Sequence, residues 1–256
     1  MATTASRNGQ RVPNRPAQQP VAQPSTNGQP TPVRPAATIT TMIVCLPDGL
    51  SSDALTAHQL HRHFGVDGTL QARFWTIENL RLWQRRQMFE LRKGTPAYCA
   101  GGPARLLNLA GLRYAAGVGA GIRHQQWQQA VQGTKPAQPW VHFHSRHLND
   151  PSKYTFDQAA ADFWRQPRVT AMAMHNAANT VAPLAIDELE MLQAGATAYQ
   201  HYCALTAVCG DALLAAEGQQ IAPATDAFAD RVTFLAQANR YLENIEDDQR
   251  LVAVTL

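Results

Sequence analysis

The chain has 256 residues, of which 45% are hydrophobic and 7% aromatic, and its formal net charge is +3. This length is enough for one large domain or two small ones. No apolar run approaches the roughly 18 residues of a membrane span, and no apolar signal segment is visible, so we expect neither membrane insertion nor secretion. The four cysteines lack Cys-x-x-Cys spacing, which favours reduced thiols packed as small hydrophobic side chains.

The first 37 residues differ in composition from the rest of the chain. They contain seven of the 16 prolines, four arginines and no acidic residue. Their charge is +4, and because the whole chain carries +3, residues 38–256 carry −1. Such a composition cannot bury enough apolar surface to fold, so it predicts a flexible N-terminal arm, which we assign to residues 1–40. A basic surface on the folded part must therefore come from a local cluster and not from the overall charge.

Four elements are predicted between the arm and residue 122. Residues 38–46 are β-branched and apolar, which predicts a short strand or an extended docking segment. The patterns at 50–64 and 76–93 predict helices, the second with an apolar stripe. Pro103 opens a further helix that runs to about residue 122. The glycines in its second half indicate that another backbone or a nucleotide approaches closely.

The predicted helix at 76–93 carries a basic cluster. Five cations lie within 13 residues, and Glu90 is the acidic residue among them. The cations are Arg81, Arg85, Arg86, Arg92 and Lys93. Two interpretations are open: a solvated face, or contact with nucleic-acid phosphates through Arg85 and Arg86.

The stretch 140–180 holds a second candidate site. Histidines and an arginine, including His144 and Arg146, precede a turn and a predicted helix whose apolar stripe surrounds Asp162. A proline separates this helix from an Ala- and Met-rich helix. A carboxylate inside an apolar stripe needs a donor, and Arg146 is the nearest upstream cation outside the turn. The pair is either a structural ion pair or part of a pocket that holds a phosphate or a base.

The C-terminal part is predicted to be helical. One helix is expected from 183 to 210, then a linker at 218–225 and a last helix at 226–248. The predicted fold is therefore all-α. It has a flexible or extended N-terminal arm, a helical-bundle RNA-binding core at 41–182 and a helical C-terminal region at 183–256.

No motif in the chain requires an enzyme. The sequence lacks a Gly-x-Ser-x-Gly elbow, a His-Glu-x-x-His pair and a Walker motif, so we expect no catalytic residue and no cofactor. The carboxylate pair Glu188 and Glu190 is predicted to be solvated. Three histidines have a spacing that zinc could use, but no Glu or Cys lies at ligand spacing, so no metal is predicted. These histidines are His142, His144 and His147.

Several short motifs lie between residues 89 and 180. They are Gly94-Thr95-Pro96, the Pro103 helix with its Ala-rich end, Arg146-His147-Leu148-Asn149-Asp150, Ala161-Asp162-Phe163-Trp164, and Pro167-Arg168 before the Ala- and Met-rich stretch. These roughly 90 residues resemble the core of the coat (capsid) proteins of flexuous filamentous plant RNA viruses, of the potyvirus type. The resemblance implies an RNA pocket made by a serine, an arginine and an aspartate.

Arg146 and Asp162 match two residues of that pocket, with a longer interval between them, and the position of the serine falls near Arg113. His144, two residues before Arg146, and Arg85 and Arg86 of the basic cluster complete the prediction. The predicted RNA-binding residues are Arg146, Asp162, Arg113, Arg85, Arg86 and His144.

The resemblance also implies a function. It is that of a capsid protein that binds single-stranded RNA and polymerises into a flexuous helical filament through its N-terminal arm, since an open polymer needs a contact that does not close. The expected locations are the virion and the host cytoplasm. Two other classes stay open: a bacterial or plasmid-borne helical regulator or secretion-system component, and a negative-strand virus nucleoprotein.

Overall fold

The computed structural model describes residues 36–47, 61–62 and 65–256. The predicted arm up to residue 35 lies outside the described residues, and so does nearly all of the helix predicted at 50–64. Among the described residues, no helix combines the length and the hydrophobicity that crossing a membrane requires. All four cysteines are free and buried.

Among the described residues, six strands form one mixed sheet, and two more form a separate pair. In chain order the strands are β1 (Thr41–Leu46), β2 (Thr69–Leu70), β3 (Phe74–Trp75), β4 (Tyr98–Cys99), β5 (Gly101–Pro103), β6 (Ala212–Leu214), β7 (Gln220–Ile221) and β8 (Arg250–Thr255). The order in the sheet is β2-β8-β1-β6-β7, and β5 also pairs with β8. Strands β3 and β4 form the antiparallel pair.

Strand β1 is buried along its whole length. It pairs antiparallel with β8, where Met42 lies opposite Val254, and parallel with β6, where Met42 lies opposite Ala212. Because side chains alternate across a strand, Ile43 joins one hydrophobic cluster and Val44 another, on the opposite face of the sheet. Of the two structures predicted for 38–46, a short strand or an extended docking segment, the strand forms, at Thr41–Leu46.

The all-α prediction is wrong. Strand β8 follows the last predicted helix and pairs with β1, β2 and β5, which all lie far from it in the sequence. The C-terminal region contains β6, β7 and β8 as well as helices, so its prediction as wholly helical is also wrong. Strands of two or three residues are too short to show the alternation that identifies a strand in sequence.

The helix predicted at 76–93 is replaced by a largely irregular segment. Only one helical turn forms, α1 (Leu82–Arg85). The backbone leaves the helical region at Asn79 and Glu90, with φ of 57° and 46°. Beyond the turn, Phe89 forms an isolated antiparallel bridge with Gly101 of β5. Pairing with the sheet therefore overrides the helical spacing of the apolar residues.

Seven further helices are described. They are α2 (Leu109–Ala130), α3 (Trp140–Asn149), α4 (Phe156–Trp164), α5 (Pro167–Ala178), α6 (Leu189–Gln193), α7 (Ala196–Cys209) and α8 (Phe228–Glu243). Helix α2 begins later than predicted, because Pro103 lies in β5. The close approach indicated by its glycines is made by α7: a Cβ on Gly117 would lie 3.8 Å from Ala204, and one on Gly121 would lie 2.6 Å from Gln200.

The helix predicted at 183–210 is interrupted. A 3-10 turn at Ile186–Glu188 leads into α6, and Gly195 separates α6 from α7 with a φ of 104°. Only glycine adopts this backbone conformation without strain, so the break is fixed by the sequence.

Candidate nucleic-acid interface

The basic segment 81–93 is anchored to the sheet at one point. Phe89 N donates to Gly101 O at 2.9 Å, and Ala100 N donates to Phe89 O at 2.8 Å. Arg92 N then donates to Tyr98 O at 2.7 Å, so the chain on either side of residues 93–97 is paired. This pairing fixes the backbone of the segment at Phe89 and Arg92 although the segment is not a helix.

A groove of about 900 Å³ lies beside this segment, and we call it the basic groove. Arg85, Arg92 and Lys93 line it, and the lining carboxylate is Glu78. Three cations against one carboxylate give the lining a net charge of +2. The larger apolar side chains of the lining are Trp75, Ile77, Leu80 and Leu91.

The cations of the basic groove are only partly engaged within the protein. Arg92 Nη2 lies 3.3 Å from Glu90 Oε2, and both side chains are well exposed. Arg85 Nε donates to the carbonyl of Leu80 at 3.3 Å. Neither Arg85 nor Lys93 has a carboxylate partner among the described residues. Positive charge is therefore available to an anionic ligand.

Helix α1 adds exposed apolar side chains beside the cations. Leu82 is 79% exposed and Trp83 is 52% exposed. Single-stranded nucleic acids are bound by surfaces that combine cations for phosphates with aromatic rings on which bases stack. The basic groove and α1 together provide both kinds of contact.

Tyr154 contacts both members of the predicted Arg146–Asp162 pair. The centre of its ring lies 3.9 Å from Arg146 Cζ, and its hydroxyl donates to Asp162 Oδ2 at 3.0 Å. The ion-pair partner of Asp162 is Arg165, at 3.2 Å, and not Arg146. Burial and the hydrogen bond to Asp162 raise the pKa of Tyr154 above its ordinary value. The predicted direct pair is thus replaced by a tyrosine bridge.

His144 lies in a ring stack along α3. Its ring stacks on Trp140 at 5.4 Å and on His147 at 6.3 Å, and Phe156 of α4 meets it edge-on at 6.0 Å. Among the described residues no cluster of His, Cys, Asp and Glu could hold a metal ion. The histidine spacing that zinc could use is therefore that of an aromatic stack on a helix.

A second cavity, of about 600 Å³, borders His144 and Trp140, and we call it the acidic cleft. Five carboxylates line it against one guanidinium, that of Arg231, which leaves a net charge of −4. The carboxylates belong to Asp187, Glu188, Glu190, Asp211 and Asp226. This charge repels phosphates, so the surface around His144 is unfavourable for RNA.

Glu188 and Glu190 are half-buried, contrary to the prediction that they are solvated. Tyr199 Oη donates to Glu188 Oε2 at 2.6 Å, and Phe228 N donates to Glu190 Oε2 at 3.0 Å. Burial raises the pKa of Glu188 above its ordinary value, although the Tyr199 hydrogen bond opposes this effect. The carboxylates therefore form walls of the cleft.

Arg113 and Arg86 have different surroundings. Arg113 is half-buried in α2, and its Nη2 donates to Asn239 Oδ1 of α8 at 2.6 Å, which links the two helices. Arg86 is exposed and ends the α1 turn. The six predicted residues consequently do not share one site. Arg85 lies in the basic groove with Arg86 next to it, Arg146 and Asp162 meet at Tyr154, and His144 borders the acidic cleft.

Two features were not predicted from the sequence: the apolar residues that line the basic groove, and the whole of the acidic cleft. Trp75 lies in β3, which is too short to be recognised from sequence, and it lines the groove where β3 pairs with β4. The sequence does contain a sign of the acidic cleft, because three carboxylates occur within the four residues 187–190.

Comparison with known proteins gives no relative: no family model, no curated protein and no solved structure matches the chain. The coat-protein resemblance stays a hypothesis. The function has to be inferred from the geometry of the candidate sites.

Proposed function

We propose that the chain binds single-stranded RNA in the basic groove. The observation that carries this proposal is the lining of the groove, where Arg85, Arg92 and Lys93 lie around an apolar wall. Phosphates would contact the cations, and bases would stack on Trp75 in the wall or on exposed Trp83. Such contacts are independent of base sequence, which suits a protein that coats RNA.

Within the same proposal, the chain is a capsid protein that polymerises into a helical filament, with the virion and the host cytoplasm as its locations. Two features support this step. The N-terminal 37 residues carry +4, while the lining of the acidic cleft carries −4, so one copy offers a basic segment to an acidic surface of the next. The coat-protein motifs between residues 89 and 180 suggest the same mode of assembly.

The RNA site is tested by a pair of matched double variants. Arg85→Ala with Lys93→Ala removes one arginine and one lysine from the groove, and Lys135→Ala with Arg240→Ala removes the same charges from exposed positions elsewhere. All four side chains are exposed, so folding should be unaffected. We expect the groove variant to weaken binding of a fluorescent oligouridine, with a slope of log affinity against log salt that is less steep by about 1.4, since each phosphate contact on a single strand contributes about 0.7.

The matched control should change neither the affinity nor the slope. Equal losses in both double variants would mean that binding follows overall charge, and the groove would not be the site.

Assembly is tested by electron microscopy of the purified chain with single-stranded RNA. A capsid protein should form long filaments whose diameter is uniform. Particles that stay small at every protein-to-RNA ratio would contradict polymerisation and leave RNA binding as the function.

A further inference from the structure

The acidic cleft already holds a piece of extended chain. Asp226 accepts hydrogen bonds from Thr38 N and Oγ1, both at 2.9 Å. Asp211 accepts from Thr40 N, at 3.1 Å, and from Thr41 N, at 3.0 Å. Ala36 forms an antiparallel bridge with Thr225. Two carboxylates thus bind backbone N–H groups of the extended segment 36–41.

The rest of the cleft is still open with this segment in place. The cavity of about 600 Å³ falls within the range of about 300–1,000 Å³ that is typical of ligand sites. Trp140 and Phe163 provide apolar surface, and Asp187 is part of the lining. Asp187 is exposed and has no hydrogen-bond or ion-pair partner among the described residues. The cleft can therefore take a further cationic occupant.

The ten residues that end at Ala36 have a second copy earlier in the sequence. Residues 27–36 read Asn-Gly-Gln-Pro-Thr-Pro-Val-Arg-Pro-Ala, and residues 8–17 read Asn-Gly-Gln-Arg-Val-Pro-Asn-Arg-Pro-Ala. Seven of the ten positions are identical. We call the shared pattern, Asn-Gly-Gln-x-x-Pro-x-Arg-Pro-Ala, the Arg-Pro motif. The second copy ends at Ala36, the residue that bridges to Thr225 in the cleft.

The chemistry of the motif matches the cleft. Arg15 and Arg34 are its shared cations, and neither copy contains an acidic residue. A guanidinium can donate two parallel hydrogen bonds to one carboxylate, and proline lowers the entropy lost when an extended segment is bound. Residues 8–17 carry +2, from Arg11 and Arg15, which is opposite in sign to the −4 of the cleft lining.

We propose that the acidic cleft binds the first Arg-Pro motif, residues 8–17, of a second copy of this chain, with Arg15 paired to Asp187. This rests on the self-association in the proposed function and names its two surfaces. Ala36, the last residue of the second motif, already lies in the cleft of its own chain, so the first motif is the copy left to link one chain to the next.

The test uses full-length chains without RNA and follows their association by sedimentation velocity. Arg15→Glu and Asp187→Lys should each weaken association by about tenfold, because each places like charges together. Arg7→Glu is the matched control: it reverses the same charge type outside both motifs and should leave association unchanged. Asp187 is exposed and without a partner, so Asp187→Lys should keep the fold, which circular dichroism checks.

Mixing the two weakened variants shows whether the contact is between molecules. The Arg15→Glu chain keeps a native cleft and the Asp187→Lys chain keeps a native motif, so an equimolar mixture should recover association. A wild-type chain that is monomeric at all concentrations, an equal loss with Arg7→Glu, or no recovery in the mixture would each overturn the proposal.

RNA affinity is measured separately on the same chains. It should change equally in Arg7→Glu and Arg15→Glu, since both reverse one charge near the N-terminus. If no chain bound RNA while association followed the predicted pattern, RNA binding would fail and the docking contact would stand.

Discussion

Tyr154 is the residue that joins Arg146 to Asp162. Its backbone N donates to Asp150 O at 3.0 Å, which closes the turn after α3 and buries the ring. Spacing in the sequence identified the two charged residues but not the ring between them, because the position of that ring depends on the turn. A cation over an aromatic face contributes about 0.5–1 kcal/mol at exposed sites, so the bridge acts as a local structural link.

We therefore expect Tyr154→Phe to affect stability and not RNA binding. The variant keeps the ring under Arg146 and loses the hydrogen bond to Asp162, which should cost about 1 kcal/mol. For a chain of this size the melting temperature should fall by about 2–4 °C. Tyr114→Phe is the control, because Tyr114 is 76% exposed and should tolerate the change. Weaker RNA binding at an unchanged melting temperature would instead assign the Arg146–Asp162 region to the RNA site.

At the scale of elements, helices with local signals were predicted well. Helix α4 has a capping box of Thr155 and Gln158, and α5 begins with Pro167 in its first turn. These signals are contained within a few residues, so sequence is enough to find them. The strands β2 to β5 could not be found in this way, because each depends on a partner distant in the sequence.

The junction of β5 with β8 gives the sharpest test of the sheet. A Cβ on Gly101 would lie 1.9 Å from Leu251 O, a backbone atom that cannot move aside. Gly101→Ala should therefore lower the free energy of unfolding by at least about 2 kcal/mol in urea titrations. Gly119→Ala is the control, since its Cβ would meet only the end of the Arg123 side chain, and helix propensity favours alanine by up to about 1 kcal/mol. Equal stability of both variants would contradict the close approach of β5 to β8.

At the scale of the whole molecule, charge is separated on a nearly neutral protein. Residues 38–256 carry −1, yet the basic groove has a lining of +2 and the acidic cleft a lining of −4. Composition indicated that a basic site must be local, and the cluster at 81–93 was visible in the sequence. The basic groove was not visible in the sequence. Its lining comes from β3 and from the chain after Leu91, and only the fold brings these two parts together.

The proposed RNA site is tested most directly by photo-cross-linking the full chain to uridine-rich single-stranded RNA and mapping the cross-linked peptides by mass spectrometry. We expect cross-links at Trp75, at Trp83 and within residues 91–97, and we expect them to disappear in the Arg85→Ala, Lys93→Ala double variant. Cross-links confined to the region of Arg146 and Tyr154, with none between residues 75 and 97, would contradict RNA binding in the basic groove.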